Sequence, residues 1–194
     1  MQSIVQEAKR ALRAQVRTAL QRIPTGERAA ASAQARSLLK LQAQWQAAQS
    51  VLFFAPLPQE LDVWPLLSEA LSVGKRVALP RFVAEARTYE ACPIQDPALD
   101  LQIGQFGIRE PISRCPRLSS DRLDLILVPG MAFDLRGRRL GRGRGYYDQF
   151  LKRLRGTTCG VAFDQQIVDE IPVAPHDVHL DCILTPTRWV ALKT

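Results

Sequence analysis

The sequence predicts an α/β fold: a mostly parallel sheet flanked by helices on both faces, with an N-terminal helical arm. Short, continuous apolar runs carry this expectation. "VLFFA" (51–55), "RVALP" (76–80) and "DLILVP" (124–129) have the composition of strands buried on both faces. A helical stretch separates the first two, which makes a βαβ unit whose right-handed crossover leaves the strands parallel. Ahead of them, residues 3–48 read as helix alone.

Residues 3 to about 21 form the first predicted helix, because Ile4, Ala8, Leu12, Val16 and Leu20 recur at every fourth position. Lys9, Arg13 and Arg17 keep the same spacing and therefore share another face, which composition alone reads as solvated. Pro24 and Thr25 break the chain, and a second helix is expected to run to about Ala48. After "VLFFA", Asp62 is placed to cap a helix that has Pro65 in its first turn and ends at Gly74. "TYEAC" reads as a further strand, and 93–120 as a stretch of low regularity. Helix 146–155 and strands near 158–163, 182–185 and 189–192 complete the pattern of one domain over 1–194. Ligands of such sheets sit outside the carboxyl ends of the strands, where "PLPQE" and the segment after "LILVP" both lie.

A 46% share of apolar residues is enough for a sizeable core, and no apolar run approaches the roughly 20 residues that span a bilayer. No membrane association is expected. The N-terminus lacks a secretory pattern, and Glu7 with few serines argues against a transit peptide, so a cytoplasmic protein is expected; separately, a monomer is expected. Cys92, Cys115, Cys159 and Cys182 are far apart and read as reduced thiols; with only His176 and His179 beside them, no zinc site is expected. The net charge of +7 favours an acidic partner without choosing one. Its placement is more telling, because Arg136, Arg138, Arg139, Arg142 and Arg144 fall within nine residues.

Two of those arginines alternate with Gly141, Gly143 and Gly145 in "LGRGRGYYDQFL", directly before a predicted helix. Glycine admits close backbone approach, and arginine forks match phosphate oxygens, so the stretch reads as an anion cradle. It matches neither the Walker A spacing nor the dinucleotide fingerprint. The competing reading is a basic surface loop. Asp148, in the first helical turn, either pairs with Lys152 or offers a hard oxygen ligand to magnesium beside phosphates. Asp134 opens "DLRG", a type I turn with Asp first and Gly fourth, and reads as structural. Tyr147, Leu151 and Leu154 form a core stripe, and Tyr146 lies nearer the cradle. Glu60, Asp177 and Asp181 read, residue by residue, as turn or strand-edge carboxylates. No Ser–His–Asp or Cys–His arrangement can be assembled.

"LVPGMAFDLRGRRLGRGRGYYDQFL" (127–151) resembles the signature of 5-formyltetrahydrofolate cyclo-ligases, also called methenyltetrahydrofolate synthetases. "AKRALR" (8–13), "ELD" (60–62), "GKRVALPR" (74–81), "FGIREP" (106–111) and "HDVHLDCILT" (176–185) agree in order. The resemblance implies an ATP- and magnesium-dependent conversion of 5-formyltetrahydrofolate to 5,10-methenyltetrahydrofolate, releasing ADP and phosphate. It implies ATP contacts at Lys9, Arg10, Arg13, Arg139 and Gly141 to Tyr147, which turns the basic helix line into a phosphate clamp. It implies folate contacts at Ala55, Glu60 and Arg142 to Tyr146, with Glu60 facing the pterin, and magnesium ligands at Asp148 and Asp181. Met131, Gln149 and Arg144 depart mildly from the family pattern without removing a ligand.

Two rival readings are an RNA-binding module and another phosphate-handling enzyme on the same scaffold. Nucleic acid is not the expected partner, because Glu60, Asp148 and Asp181 serve no purpose on such a surface. The second rival would lose the pterin-type glutamate, and Glu60 is present.

Overall fold

The computed structural model describes residues 2–118, 123–172 and 177–192. Its spine is a seven-stranded sheet in the order β12–β11–β9–β6–β1–β2–β3. The strands are β1 (Ser50–Leu52), β2 (Arg76–Val83), β3 (Thr88–Ile94), β6 (Leu125–Val128), β9 (Thr157–Val161), β11 (Cys182–Leu184) and β12 (Trp189–Ala191). The five inner strands are mutually parallel, while β3 and β12 pair antiparallel at the two edges.

Strand alternation sorts the core into two halves. Val51, Phe53, Leu125, Leu127, Cys159 and Leu184 face α1 (Gln2–Gln21), α2 (Thr25–Lys40), α3 (Ala43–Ala47) and α4 (Trp64–Ser72), which bury Val16, Leu39, Trp45 and Leu67 against them. Leu52, Ile126, Val128 and Ile183 face the other side, where α5 (Tyr146–Leu151) buries Phe150 and Leu151. Helices therefore flank both faces, as the sequence predicts. Burying one leucine-sized side chain contributes about 1.5–3 kcal/mol, so these two layers supply most of the driving force. All four cysteines are buried free thiols, and burial pushes the Cys92 thiol up to about 12. Among the described residues no helix is long and apolar enough to cross a membrane.

Several boundaries differ from the sequence reading. The second helix breaks at Leu41, whose N–H bonds back to the Leu38 carbonyl, and resumes as the short α3. Asp62 accepts from the Trp64 N–H at 2.9 Å, one position before the cap of α4. The 93–120 stretch contains a hairpin of β4 (Leu101–Ile103) and β5 (Arg109–Pro111). Helix α5 ends at Leu151, short of the expected 155. A three-stranded sheet, β7 (Ala132–Asp134), β8 (Arg139–Leu140) and β10 (Ile167–Val168), has no counterpart in the sequence reading. These strands are two or three residues long, too short to show alternation.

That small sheet positions the glycine–arginine loop. Asp134 is fully buried at the β7–β8 turn, with Gly137 at φ +84° closing onto the Asp134 carbonyl. Its Oδ1 accepts from the N–H groups of Arg136 and Arg138, each at 3.0 Å, and its Oδ2 from Ile171 N–H at 2.9 Å. The structural reading of Asp134 holds.

Candidate functional site

The strand order reverses at β1. From there the chain adds β2 on one side, and β6, β9 and β11 on the other. Open α/β sheets bind ligands in the crevice at such a reversal, beyond the strand carboxyl ends. Here the segments that leave β1 (54–60) and β6 (129–145) flank the crevice. Between them lies a cavity of about 290 Å³ lined by Tyr89, Phe106, Pro129, Arg139, Gly141, Arg142, Arg144, Tyr146, Tyr147 and Asp148, among others. A second cavity of about 100 Å³, lined by Ala55, Glu60, Ile108, Arg109 and Glu110, shares Leu57, Tyr89, Phe106 and Arg142 with the first. The two are continuous.

The loop lies open in the backbone sense: Gly143 and Gly145 take φ +105° and +71°, a region that L side chains avoid. The arm helix reaches over it. Arg13 Nε donates to the Gly141 carbonyl at 2.8 Å, and a Cβ on Gly143 would lie 3.5 Å from the Arg13 guanidinium carbon. Burial draws the Arg13 guanidinium below its ordinary range, against the opposing pull of Asp148 and Asp177. Lys9 is only 5% exposed and pairs with Asp177 at 2.6 Å. The basic line on α1 is thus turned inward at Lys9 and Arg13, correcting the solvated-face reading, while Arg10 and Arg17 remain exposed.

Two arginines of this segment, Arg139 and Arg142, are held by carboxylates. Arg139 is buried, donating to Asp148 Oδ1 at 2.6 Å and to the Pro129 carbonyl at 3.0 Å, with its guanidinium 5.3 Å from the Tyr147 ring centre. Asp148 therefore pairs with Arg139, nine residues earlier, in place of the Lys152 that the structural alternative offered. Arg142 donates to Glu60 Oε1 at 2.7 Å, while Glu60 Oε2 accepts from the Leu57 N–H at 2.9 Å. A salt bridge thus spans the crevice.

Aromatic residues close the opposite wall. Tyr147 sits 5.6 Å from both Tyr89 and Phe150, measured between ring centres. Among the described residues its buried hydroxyl has no hydrogen-bond partner, and burial pushes its ionisation well above the ordinary tyrosine range. Phe82 stacks against Phe106 and Tyr146 at 4.8 and 5.4 Å. The Tyr146 hydroxyl is drawn below its ordinary range by its bond from Arg87, at 3.4 Å.

Of the predicted site residues, Ala55, Glu60, Arg139, Gly141, Arg142, Arg144, Gly145, Tyr146, Tyr147 and Asp148 line these cavities. Gly143 lies in the loop against Arg13 of the arm, and Lys9 pairs with Asp177, whose charge also acts on Arg13; none of the three lines either cavity. Arg10 is exposed on α1 and lines neither cavity. Asp181 is not brought to Asp148. It precedes β11 at the amino edge of the sheet, where its Oδ2 accepts from Thr158 N–H and Oγ1, each at 2.7 Å. Those bonds saturate one of its oxygens as a strand-start clamp, away from the crevice. His176 lies outside the described residues. Tyr89 and Phe106 were not singled out from sequence. Each is an isolated aromatic in its segment, although Phe106 opens the "FGIREP" stretch. Among the described residues no group of three or more His, Cys, Asp or Glu side chains could hold a metal by itself.

Residues 5–186 match the model of the 5-formyltetrahydrofolate cyclo-ligase family. The chain is 31% identical over 193 residues to the 5-formyltetrahydrofolate cyclo-ligase of Mus musculus, an alignment covering 93% of this chain and 94% of the relative. It is 32% identical over 145 residues to that of Escherichia coli K12, covering 73% and 80%. Its fold superimposes on the NMR structure of Aquifex aeolicus 5,10-methenyltetrahydrofolate synthetase with a TM-score of 0.86 at 33% identity, covering 96% of this chain and 93% of the other.

Proposed function

The chain belongs to the 5-formyltetrahydrofolate cyclo-ligase family, and on that premise we propose that it converts 5-formyltetrahydrofolate to 5,10-methenyltetrahydrofolate with ATP and magnesium. One observation carries the reading: a glycine–arginine cradle and an aromatic cavity with a largely enclosed carboxylate share one crevice, bridged by Arg142 and Glu60. Phosphates suit the first half and a pterin suits the second.

A formamide carbonyl is a weak electrophile with a poor leaving group. Transfer of the ATP γ-phosphoryl group to the formyl oxygen corrects both. The folate's own N10 then attacks the formyl carbon, phosphate departs with the carbonyl oxygen, and N10 loses its proton. No protein nucleophile is needed. Catalysis of this kind rests on positioning and on neutralising charge. Arg13, Arg139, Arg142 and Arg144 serve the second task at the loop, where Gly141 to Gly145 let phosphate oxygens reach backbone N–H groups. Helix α5 is only six residues long, so the arginines rather than a helix dipole carry most of this stabilisation. Glu60 accepts from the adjacent N–H donors on a pterin edge once Arg142 turns toward phosphate. Tyr89, Phe106 and Tyr147 enclose the ring.

Magnesium bound with nucleotides takes one or two protein carboxylates and completes its shell with phosphate oxygens and water. Asp148, 16% exposed beside the cradle, fits as the single protein ligand. Held there, magnesium would supply charge neutralisation at the transferring phosphoryl group.

The test is the near-ultraviolet appearance of the methenyl chromophore from 5-formyltetrahydrofolate. Product is expected with ATP and magnesium and absent without ATP. Asp148→Ala is expected to slow turnover on the order of 100-fold, as for loss of one preorganised electrostatic contact. Folded wild-type protein that forms no chromophore would refute the reaction. Full activity in Asp148→Ala would remove only the magnesium assignment.

A further inference from the structure

A third hollow, of about 400 Å³, opens between the segment after β1 and the β4–β5 hairpin. It shares Ala55, Leu57, Ile108 and Arg109 with the cavity that holds Glu60, so it continues the crevice outward. Its walls are mostly apolar: Trp64 at the start of α4, Ile108 before β5, and Ile103 on β4. Ile103 is 68% exposed, an uncovered apolar side chain beside an open groove.

Arg109 stands at the rim. Its guanidinium lies 5.4 Å from the Trp64 ring centre, an arrangement that orients the planar fork without using its N–H donors. Among the described residues it has no carboxylate partner, whereas Arg139 and Arg142 are committed to Asp148 and Glu60. The nearby acids are already used. Asp62 accepts from the Trp64 N–H at 2.9 Å, and Glu110 from the Phe82 N–H at 3.2 Å. Arg144, which also lies over an aromatic ring (Phe106, 5.6 Å), belongs to the glycine loop and lines the larger cavity, not the outer hollow.

We propose that this outer hollow receives the p-aminobenzoyl-glutamate end of the folate, with Arg109 pairing a glutamate carboxylate and thereby selecting the carboxylated substrate. The inference rests on the cyclo-ligase reading. A pterin seated against Glu60 leaves its tail to exit through the connected groove. Trp64, Ile103 and Ile108 suit the benzoyl ring, and the unpaired fork of Arg109 suits a carboxylate bidentately.

Steady-state kinetics on 5-formyltetrahydrofolate and on 5-formyltetrahydropteroate, which lacks the glutamate, separate the contributions. Wild type is expected to prefer the folate. Arg109→Gln is expected to raise its KM about fivefold, the scale of a part-exposed ion pair, and the pteroate KM by clearly less. Arg109→Lys should recover part of the loss, and circular dichroism melts confirm that both variants fold. Equal KM changes for both substrates, or none for the folate, would overturn the proposal. Wild type that turns over neither substrate would overturn the cyclo-ligase reading itself, and the tail assignment with it.

Discussion

Replacing Tyr147 by Phe separates what the site costs in stability from what it gains in binding. The hydroxyl is buried with no hydrogen-bond partner among the described residues, while the ring packs on Tyr89 and Phe150 and lies under the Arg139 guanidinium. An unsatisfied buried hydroxyl costs about 1–3 kcal/mol. Deleting one oxygen leaves a gap of about 10–15 Å³, which at about 24 cal/mol per Å³ returns roughly 0.3 kcal/mol. The net expectation for the unliganded protein is a gain of about 1 kcal/mol. For a chain of this length that raises the melting temperature by about 2–4 °C. Burial keeps the phenol protonated, so in the folate complex it can act as a donor. Losing that donor is expected to raise the folate KM by about two- to tenfold. Calorimetric melts without ligand and initial rates across folate concentrations read the two effects on the same preparation. A lowered melting temperature would show that the hydroxyl is satisfied in the unliganded protein. An unchanged KM would show that it does not meet the substrate.

Other perturbations probe the scaffold behind the site. Asp134→Ala leaves one buried and two part-buried N–H groups without their acceptor and is expected to cost about 2–4 kcal/mol, a large share of a typical 5–15 kcal/mol stability; urea midpoints measure it, and a loss below about 1 kcal/mol would refute the clamp. For Asp124 the ordering of effects is mixed: partial burial opposes ionisation, but hydrogen bonds from Ser50 Oγ, Ser50 N–H and Gln49 N–H outweigh it and hold the carboxyl below its ordinary range. A depressed folded-state value means that its stabilisation is present above the unfolded value near 3.9 and is lost as pH falls through the folded one. The stability gap between wild type and Asp124→Asn should therefore be open at neutral pH and narrow below about pH 4; a gap that does not change with pH would contradict it.

Much of the sheet was legible because its inner strands are buried on both faces. Continuous runs such as "LILV" cannot be amphipathic helices on a surface, and they occupy β1, β2 and β6 as expected. The glycine–arginine loop was legible for a different reason. Close backbone approach and concentrated positive charge have few structural uses, and Gly143 and Gly145 do take the left-handed conformations that glycine permits. What was hidden depends on elements too short for periodicity, such as β7, β8 and β10. Asp181 was legible only in part: its place before "CILT" reads as a strand-edge carboxylate and it is one, but the Thr158 that clamps it stands 23 positions away on the neighbouring strand.

The pairing of Arg142 with Glu60 shows where local reading ends and topology begins. The two residues are 82 positions apart, and nothing in either segment encodes the other. They meet because β1 and β6 are neighbours in the sheet although β2 to β5 intervene in the chain. Each parallel strand delivers its following segment to the same edge, so adjacency of two strands makes adjacency of their exits. The strand reversal at β1 spreads those exits into a crevice instead of closing them under a crossover helix. Lys9 and Asp177, 168 positions apart, follow the same logic, since the arm can reach the loop only once the sheet has gathered its parts. Motifs in this chain name the chemical groups, and strand order decides which of them can act on one substrate.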